Sequence, residues 1–240
     1  MTAVGADGPP TTLRILHTSD VHIGDNHSTE GAIGALIELG LMHQIDAMVI
    51  VGDFFDNNRV ETEMGQAVVD ELNRLPVPVV VLPGNHDPLL AGTIYDRIVM
   101  PDHVRVLTAP DGEVVALPEL DLEIWGKPHM TYDDNRPLDG LPPRGSATWQ
   151  VALAHGQLVQ STDDLRRAYL ITPEEIAACD RDYLALGHWD VPRDVSAGTV
   201  VASYSGSPSR RAVCALVTFS RDGEERRVHV DSISLDRDVP

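Results

Sequence analysis

The chain of 240 residues is 42% hydrophobic, which is enough for one full core, and it carries a formal net charge of −19 at pH 7. This acidic balance gives no general attraction to polyphosphate backbones or anionic membranes, which argues against non-specific binding of nucleic acid. No apolar run reaches the roughly 18 residues of a membrane span, and the two cysteines have no metal-binding spacing, so we expect a reduced, cytoplasmic protein without a membrane partner.

Residues 1–12 are small, polar and rich in proline and glycine, without the basic and apolar regions of a signal peptide. We therefore predict a flexible N-terminal tail over these residues. Residues 13–240 contain no internal repeat and no low-complexity block. They are predicted to form a single domain.

The first half of the chain alternates predicted strands and helices. Runs rich in Val, Ile and Leu predict strands at Leu13–Thr18, Ala47–Val51 and Val77–Leu82. Apolar residues at helical spacing predict helices at Thr29–His43 and Val60–Leu75. This order implies right-handed crossovers and a parallel sheet.

The second half is predicted to be mainly β. Its strands are expected at Val104–Leu107, Glu113–Leu117, Leu122–Trp125, Trp149–Ala154, Tyr183–Leu186, Val200–Tyr204, Ala212–Phe219 and Arg227–Ile233. Turn residues predict a surface loop at Tyr132–Ser146, and Thr172–Ala178 is expected to form a short helix with Thr172 as its cap. The elements together predict an α/β fold with two sheets between helical layers, a four-layer α/β/β/α sandwich.

Short motifs of acidic, amide and histidine residues follow the first three predicted strands. They are Asp20-Val21-His22, Gly52-Asp53-Phe54-Phe55-Asp56 and Gly84-Asn85-His86-Asp87. Two further histidines, His155 and His188, follow predicted strands of the second half. Open α/β sheets bind ligands in the crevice beyond the carboxyl ends of their strands, so we expect these side chains to converge there.

The chemistry of these side chains predicts a metal centre. Carboxylate oxygen suits hard divalent cations, and imidazole suits Mn, Fe, Ni and Zn. Each motif alone could equally be an ordinary turn. Five such motifs in order, each at the end of a predicted strand, are not easily explained as five independent turns. Asp53 is a candidate bridge between two ions about 3.5–4 Å apart, as in two-metal hydrolases. We therefore expect two divalent ions, with Mn²⁺ favoured over Fe, Ni or Zn.

The segment Leu13–Gly24 resembles the opening of calcineurin-like metallophosphoesterases, and it is most similar to the SbcD-type nuclease branch of DNA double-strand-break repair. The later motifs follow in the family's order at Gly52–Asp56, Gly84–Asp87, His155-Gly156 and Gly187-His188. Tyr204–Pro208 resembles a loop of the nuclease branch. The resemblance extends from Leu13 to Ile233 and implies the α/β/β/α fold of that family.

The resemblance implies a role for each motif residue. The implied ligands are Asp20 and His22 for the first metal ion, Asp53 as the bridge, and Asn85, His155 and His188 for the second. A hydroxide held between the metals would attack a phosphodiester or phosphomonoester in line. His86 would contact the phosphate or protonate the leaving oxygen, and Asp87 is a candidate for orienting His86.

Two positions depart from the family pattern. The last motif of the family is Gly-His-x-His, whereas this chain has Asp190 where the second histidine completes the first metal site. A carboxylate can bind a hard cation, although it adds negative charge; the alternative is that Asp190 points away and leaves that site weak or empty. Asp56 replaces the histidine of the best-known nucleases of the branch, and it is expected to hold His22 or to cap a turn.

Four side chains near the motifs are candidates for substrate contact. They are Arg59, Trp189, Arg210 and Arg211, each of which is also compatible with an ordinary surface or core position. SbcD-type nucleases carry a DNA-binding cap domain and an ATPase-docking segment after the core, but this chain stops soon after its last predicted core strand. We therefore expect weak binding of long duplex DNA unless a partner protein assists.

The leading prediction is a metal-dependent phosphoesterase whose substrate is a nucleotide, a short nucleic-acid end or another small phosphate ester. One alternative is a DNA exonuclease or endonuclease that works with a partner protein. The other is a degenerate relative that binds phosphate or a partner without catalysis, which the presence of Asp190 makes conceivable. The sequence predicts neither the natural substrate nor the oligomeric state.

Overall fold

A computed structural model of the chain describes residues 12–25, 30–133, 136–159, 168–223 and 225–235. Thr12, the last residue of the predicted tail, is the first residue of a strand, and residues 1–11 of that tail lie outside the described residues. Within the described ranges no helix is long and apolar enough to cross a membrane. Cys179 and Cys214 are both buried and form no disulfide.

The strands and helices agree closely with the predicted elements. The strands are β1 (Thr12–Thr18), β2 (Ala47–Val51), β3 (Val79–Leu82), β4 (Val104–Val106), β5 (Glu113–Leu117), β6 (Leu122–Gly126), β7 (Trp149–His155), β8 (Gln157–Leu158), β9 (Leu170–Ile171), β10 (Tyr183–Gly187), β11 (Arg193–Asp194), β12 (Val201–Tyr204), β13 (Val213–Asp222) and β14 (Glu225–Ser234). The helices are α1 (Glu30–Met42), α2 (Thr62–Glu71), α3 (Pro173–Ala178) and α4 (Pro208–Arg211).

Some boundaries differ from the predictions for local reasons. The helix predicted to reach Leu75 ends at Glu71 and continues as a 3-10 turn over Leu72–Arg74. The third strand begins at Val79 instead of Val77, because Pro78 has no N–H to donate to the sheet. The short helix α4 was absent from the predicted elements, although Ser207 before Pro208 is an ordinary start signal and its side chain accepts from the N–H of Arg210.

Two six-stranded sheets of similar plan occupy the described ranges. The first has the order β14-β13-β1-β2-β3-β4, in which β1 to β4 are parallel and β13 runs antiparallel to β1. The second has the order β11-β12-β10-β7-β6-β5, in which β12, β10, β7 and β6 are parallel. Each sheet therefore collects the carboxyl ends of its parallel strands at one edge.

Three apolar clusters separate four layers. Residues Leu36 and Ile37 of α1 and Val69 of α2 pack on the outer face of the first sheet. The inner faces of the two sheets pack on each other, since successive side chains of a strand point to opposite faces. Ile176 of α3 packs on the outer face of the second sheet, against Leu184. The predicted α/β/β/α sandwich is thereby confirmed.

The sheets approach each other closely where β10 ends. A side chain at Gly187 would overlap the carbonyl oxygen of Val51 at the end of β2, and it would press on the imidazole of His155 and on Ser19. The absence of a side chain at Gly187 therefore allows the two strand-end edges to meet.

We expect Gly187→Ala to lower the free energy of unfolding by roughly 1–3 kcal/mol, because the added methyl group has no space and must displace backbone. The matched control is Gly34→Ala on α1, where an added Cβ has no neighbour within 4 Å. The control should be neutral or slightly stabilising, since alanine favours helix. Urea unfolding followed by circular dichroism measures both, and equal stabilities of the two variants would contradict the close approach.

Candidate metal centre

The strand-end residues of both sheets converge in one crevice. Asp20, His22, Asp53 and Asn85 follow strands of the first sheet, whereas His155, His188 and Asp190 end or follow strands of the second. Several of them have left-handed backbone angles, with φ of 54° at Asp20, 53° at His22, 52° at Asp53 and 103° at His188. Non-glycine residues rarely adopt this conformation, and such strain concentrates at functional sites.

Three groups of ligand atoms form around these strand ends. The first contains Asp20, His22 and Asp190, the second contains Asp53, His155 and His188, and the third contains His22, Asp53 and His86. Within each group the ligand atoms lie within 4.8 Å of one another. Asp53 lies between the groups, because its Oδ2 is 3.2 Å from Nε2 of His155 and 4.0 Å from Nε2 of His22. The position of Asp53 is therefore compatible with the predicted bridge.

The second group has its imidazoles held in place by backbone and amide groups. Nδ1 of His155 donates to the carbonyl oxygen of Val51 at 2.9 Å, so Nε2 faces the crevice. Oδ1 of Asn85 lies 3.1 Å from Nε2 of His155 and 3.1 Å from Nδ1 of His188. The donor set of oxygen and imidazole nitrogen fits a divalent transition metal.

The first group includes the residue that departs from the family pattern. Asp190 joins Asp20 and His22, so the structure does not have the alternative arrangement in which Asp190 points away. Oδ2 of Asp20 also accepts the backbone N–H of His188 at 2.9 Å, which ties the two sheets together. The carboxylate of Asp190 is thus close enough to take the place of the missing imidazole.

Burial and neighbouring charges set the protonation of the cluster. Burial would lower the pKa of His155, but the carboxylate of Asp53 outweighs it and raises that pKa to about 9. Burial would raise the pKa of Asp53, but His155 holds it well below its usual range. Burial lowers the pKa of His188 to about 4 and also lowers that of His22, so both are neutral at pH 7. A cation that binds between Asp53 and His155 must therefore displace a proton.

His86 lies at the open side of the crevice. Its backbone N–H donates to Oδ1 of Asp53 at 2.9 Å, and its ring meets the ring of His22 edge-on at 4.7 Å. Nδ1 of His86 donates to the carbonyl oxygen of Asp56 at 2.9 Å, and the carboxylate of Asp56 lies 3.3 Å from Nδ1 of His22. Asp56 therefore lies beside both histidines, but Nδ1 of His22 has no hydrogen-bond partner among the described residues, so the role of Asp56 in holding His22 stays a prediction.

The structure corrects the role predicted for Asp87. Its carboxylate is fully buried and accepts from the N–H groups of Gly84 and Phe55 and from the hydroxyl of Tyr95. None of these contacts reaches the imidazole of His86. Asp87 therefore holds the loop that carries Asn85 and His86, instead of orienting His86 directly.

The four predicted substrate contacts do not lie equally close to the cluster. Nη1 of Arg210 lies 3.4 Å from Oδ2 of Asp190, and Trp189 is exposed beside the candidate ligand His188. Arg211 instead lines a separate surface groove with Val191 and Pro192. The side chain of Arg59 has no described contact with the cluster. Arg59 and Arg211 therefore lose their support as substrate contacts.

Two further residues contact the candidate ligands although no role was predicted for either. His129 follows β6, is fully buried, and donates from Nε2 to the carbonyl oxygen of His155 at 2.9 Å. Burial lowers its pKa to about 3, so it is neutral. Ser207 donates to the carbonyl oxygen of Asp20 at 2.7 Å. The position of His129 just after a strand is the same signal that the other motifs carry.

Comparison with known proteins gives matches to a family and to relatives. Residues 13–208 match the model of the family described as calcineurin-like phosphoesterase. The SbcD subunit of nuclease SbcCD from Bacillus subtilis (strain 168) is 27% identical, over 82% of this chain and 61% of that protein. The DNA double-strand break repair protein Mre11 from Methanopyrus kandleri is 27% identical, over 90% of this chain and 52% of that protein.

A shorter match is found to part of the SbcD subunit of nuclease SbcCD from Escherichia coli (strain K12). It is 36% identical over 86 residues, which are 31% of this chain and 21% of that protein. Even where the match extends over most of this chain, the chain spans only about half to three fifths of the length of these relatives.

Replacement of Asp87 tests its contacts with the loop. Asp87→Ala should lower the free energy of unfolding by roughly 3 kcal/mol, because two buried N–H groups and a hydroxyl lose their acceptor. Tyr95→Phe removes one donor and should cost only about 1 kcal/mol. Urea unfolding measures both changes. A stability of Asp87→Ala equal to that of the unaltered protein would contradict this role.

Proposed function

Because the chain belongs to the calcineurin-like phosphoesterase family, whose chemistry is the hydrolysis of phosphate esters, we propose that it is a metal-dependent phosphodiesterase. The observation that carries the proposal is the carboxylate of Asp53, which lies between His22 of the first sheet and His155 of the second. Two groups of ligands that share one carboxylate suit a pair of cations. Phosphomonoesters are the less favoured substrates.

We assign the ligands as two sets on either side of Asp53. The first set is Asp20, His22 and Asp190, and the second is Asn85, His155 and His188. Mn²⁺ is the favoured ion, with Fe, Ni and Zn as alternatives, because the donors are oxygen and imidazole without thiolate. Such cations would polarise the phosphoryl oxygens and lower the pKa of bound water for in-line attack.

His86 is the proposed general acid. Its side chain is 44% exposed at the open side of the crevice, where a leaving group can reach it. A carbonyl oxygen can only accept, so the bond to Asp56 keeps a proton on Nδ1 of His86. The proton that His86 gives up is therefore the one on Nε2 of the doubly protonated ring. Its transfer to the phosphate or to the leaving oxygen would leave a neutral imidazole with its proton on Nδ1.

A second candidate function is the hydrolysis of DNA with the help of a partner protein. The names of the relatives from Bacillus subtilis and Methanopyrus kandleri, a nuclease subunit and a DNA double-strand break repair protein, favour it. With 37 acidic against 18 basic residues, the chain has little general attraction for a phosphate backbone, so a partner would have to hold long DNA. We place this function, like the first, in the cytoplasm.

Bis-p-nitrophenyl phosphate with Mn²⁺ provides the direct test. We expect turnover by the unaltered protein and a decrease in kcat of roughly 10²–10⁴-fold in His86→Gln, because the proton donor is lost. Mn²⁺ binding measured by calorimetry should persist in this variant. His229→Gln, which alters an exposed histidine on β14, is the matched control and should retain full activity.

Three results distinguish the remaining explanations. Binding of Mn²⁺ without turnover by any metal form would favour a non-catalytic relative. Full activity of His86→Gln would refute its role as the acid. Degradation of linear DNA with a steep dependence on salt would favour the nuclease.

A further inference from the structure

The carboxylate of Asp190 has a basic partner at the edge of the first ligand group. Nη1 of Arg210 lies 3.4 Å from Oδ2 of Asp190, and Nη2 lies 3.6 Å from Oδ2 of Asp25. The side chain of Arg210 is 36% exposed, so the guanidinium also faces the solvent from which a substrate enters. This contact involves the position at which the chain departs from the family motif.

The backbone around Arg210 is fixed to the same ligand group. Ser207, the cap of α4, donates from its side chain to the carbonyl oxygen of Asp20 and from its N–H to the carbonyl oxygen of Asp190 at 3.0 Å. Ser209 donates to the carbonyl oxygen of Val21. Because α4 is bonded to both loops that carry candidate ligands, the backbone of Arg210 is held beside the cluster.

Asp190 changes the charge of the first metal position. The position lies between Asp20, His22 and Asp190, and the shared carboxylate of Asp53 lies 4.0 Å from Nε2 of His22. The family motif has a neutral imidazole where this chain has Asp190, so Asp190 adds one negative charge. The guanidinium of Arg210 offsets that charge.

We propose that Arg210 is the charge partner of Asp190: it offsets the negative charge that Asp190 adds to the first metal position, and it presents a guanidinium to the phosphate of the substrate. This inference rests on the proposed function. Asp25 lies 3.6 Å from the second nitrogen of Arg210, so the guanidinium keeps an ion-pair partner when the carboxylate of Asp190 binds a cation. Arginine suits this task because its planar group binds phosphate oxygens in pairs.

The proposal predicts two effects of opposite sign in Arg210→Gln. The first metal position should bind Mn²⁺ roughly three- to tenfold more tightly, because the guanidinium no longer competes with the cation for the carboxylate of Asp190. Inorganic phosphate should bind to the Mn²⁺-loaded protein roughly three- to tenfold more weakly, because a charged donor is lost. A variant with a damaged structure would instead bind both Mn²⁺ and phosphate more weakly.

Calorimetric titration of the full chain with Mn²⁺, and of the Mn²⁺-loaded protein with inorganic phosphate, measures both effects without an activity assay. Arg211→Gln is the matched control, since it removes the same charge one position away, from a side chain that lines a different groove. It should leave both affinities within about twofold of the unaltered protein, because its charge is screened by solvent. Arg210→Lys, which keeps the charge, should restore the Mn²⁺ affinity.

Asp190→Asn shows whether Arg210 acts through Asp190. In the Asp190→Asn background, the gain in Mn²⁺ affinity on Arg210→Gln should fall by more than half, because the partner charge is absent. Equal affinities of Arg210→Gln and Arg211→Gln, or a loss of both affinities in Arg210→Gln, would overturn the inference and leave the proposed function intact. Failure of the unaltered protein to bind Mn²⁺ would overturn the proposed function, and this inference with it.

Discussion

The buried ion pair between Asp53 and His155 is the interaction on which the arrangement of the site depends. Asp53 is 2% exposed and His155 is fully buried, and they come from different sheets. Burial of two charges is costly, and such a pair is often no more stabilising than an apolar pair of similar size. The pair places a carboxylate oxygen and an imidazole nitrogen at the junction of the sheets, and these donors suit a divalent cation.

The plan of the two sheets brings this pair together. Each sheet gathers the carboxyl ends of its parallel strands at one edge, and Gly187 lets those edges meet without a side chain between them. The contacts of Asp87 and Ser207 then hold the loops that carry the candidate ligands. Bonds to the backbone hold the side chains of Asp20, Asp53 and His155, which reduces the cost of ordering them on binding.

Local sequence pattern predicts the strands and the residues at their ends, because apolar periodicity and the strand-end position are properties of short segments. It does not predict contacts between distant segments. The bond of His155 to Val51 joins residues 104 positions apart, and the contact of Asp87 with Tyr95 depends on a loop whose path no periodicity describes. Arg210 and Arg211 are neighbours with the same chemistry, and only the turn of α4 places one of them beside Asp190.

We propose that two cations share the carboxylate of Asp53. A crystal structure of the protein grown with Mn²⁺, with anomalous data collected near the manganese absorption edge, tests this proposal most directly. We expect two anomalous peaks about 3.5–4 Å apart, both within bonding distance of the carboxylate of Asp53, with Asp190 at one and His155 at the other. A single peak, or peaks that do not contact Asp53, would contradict it.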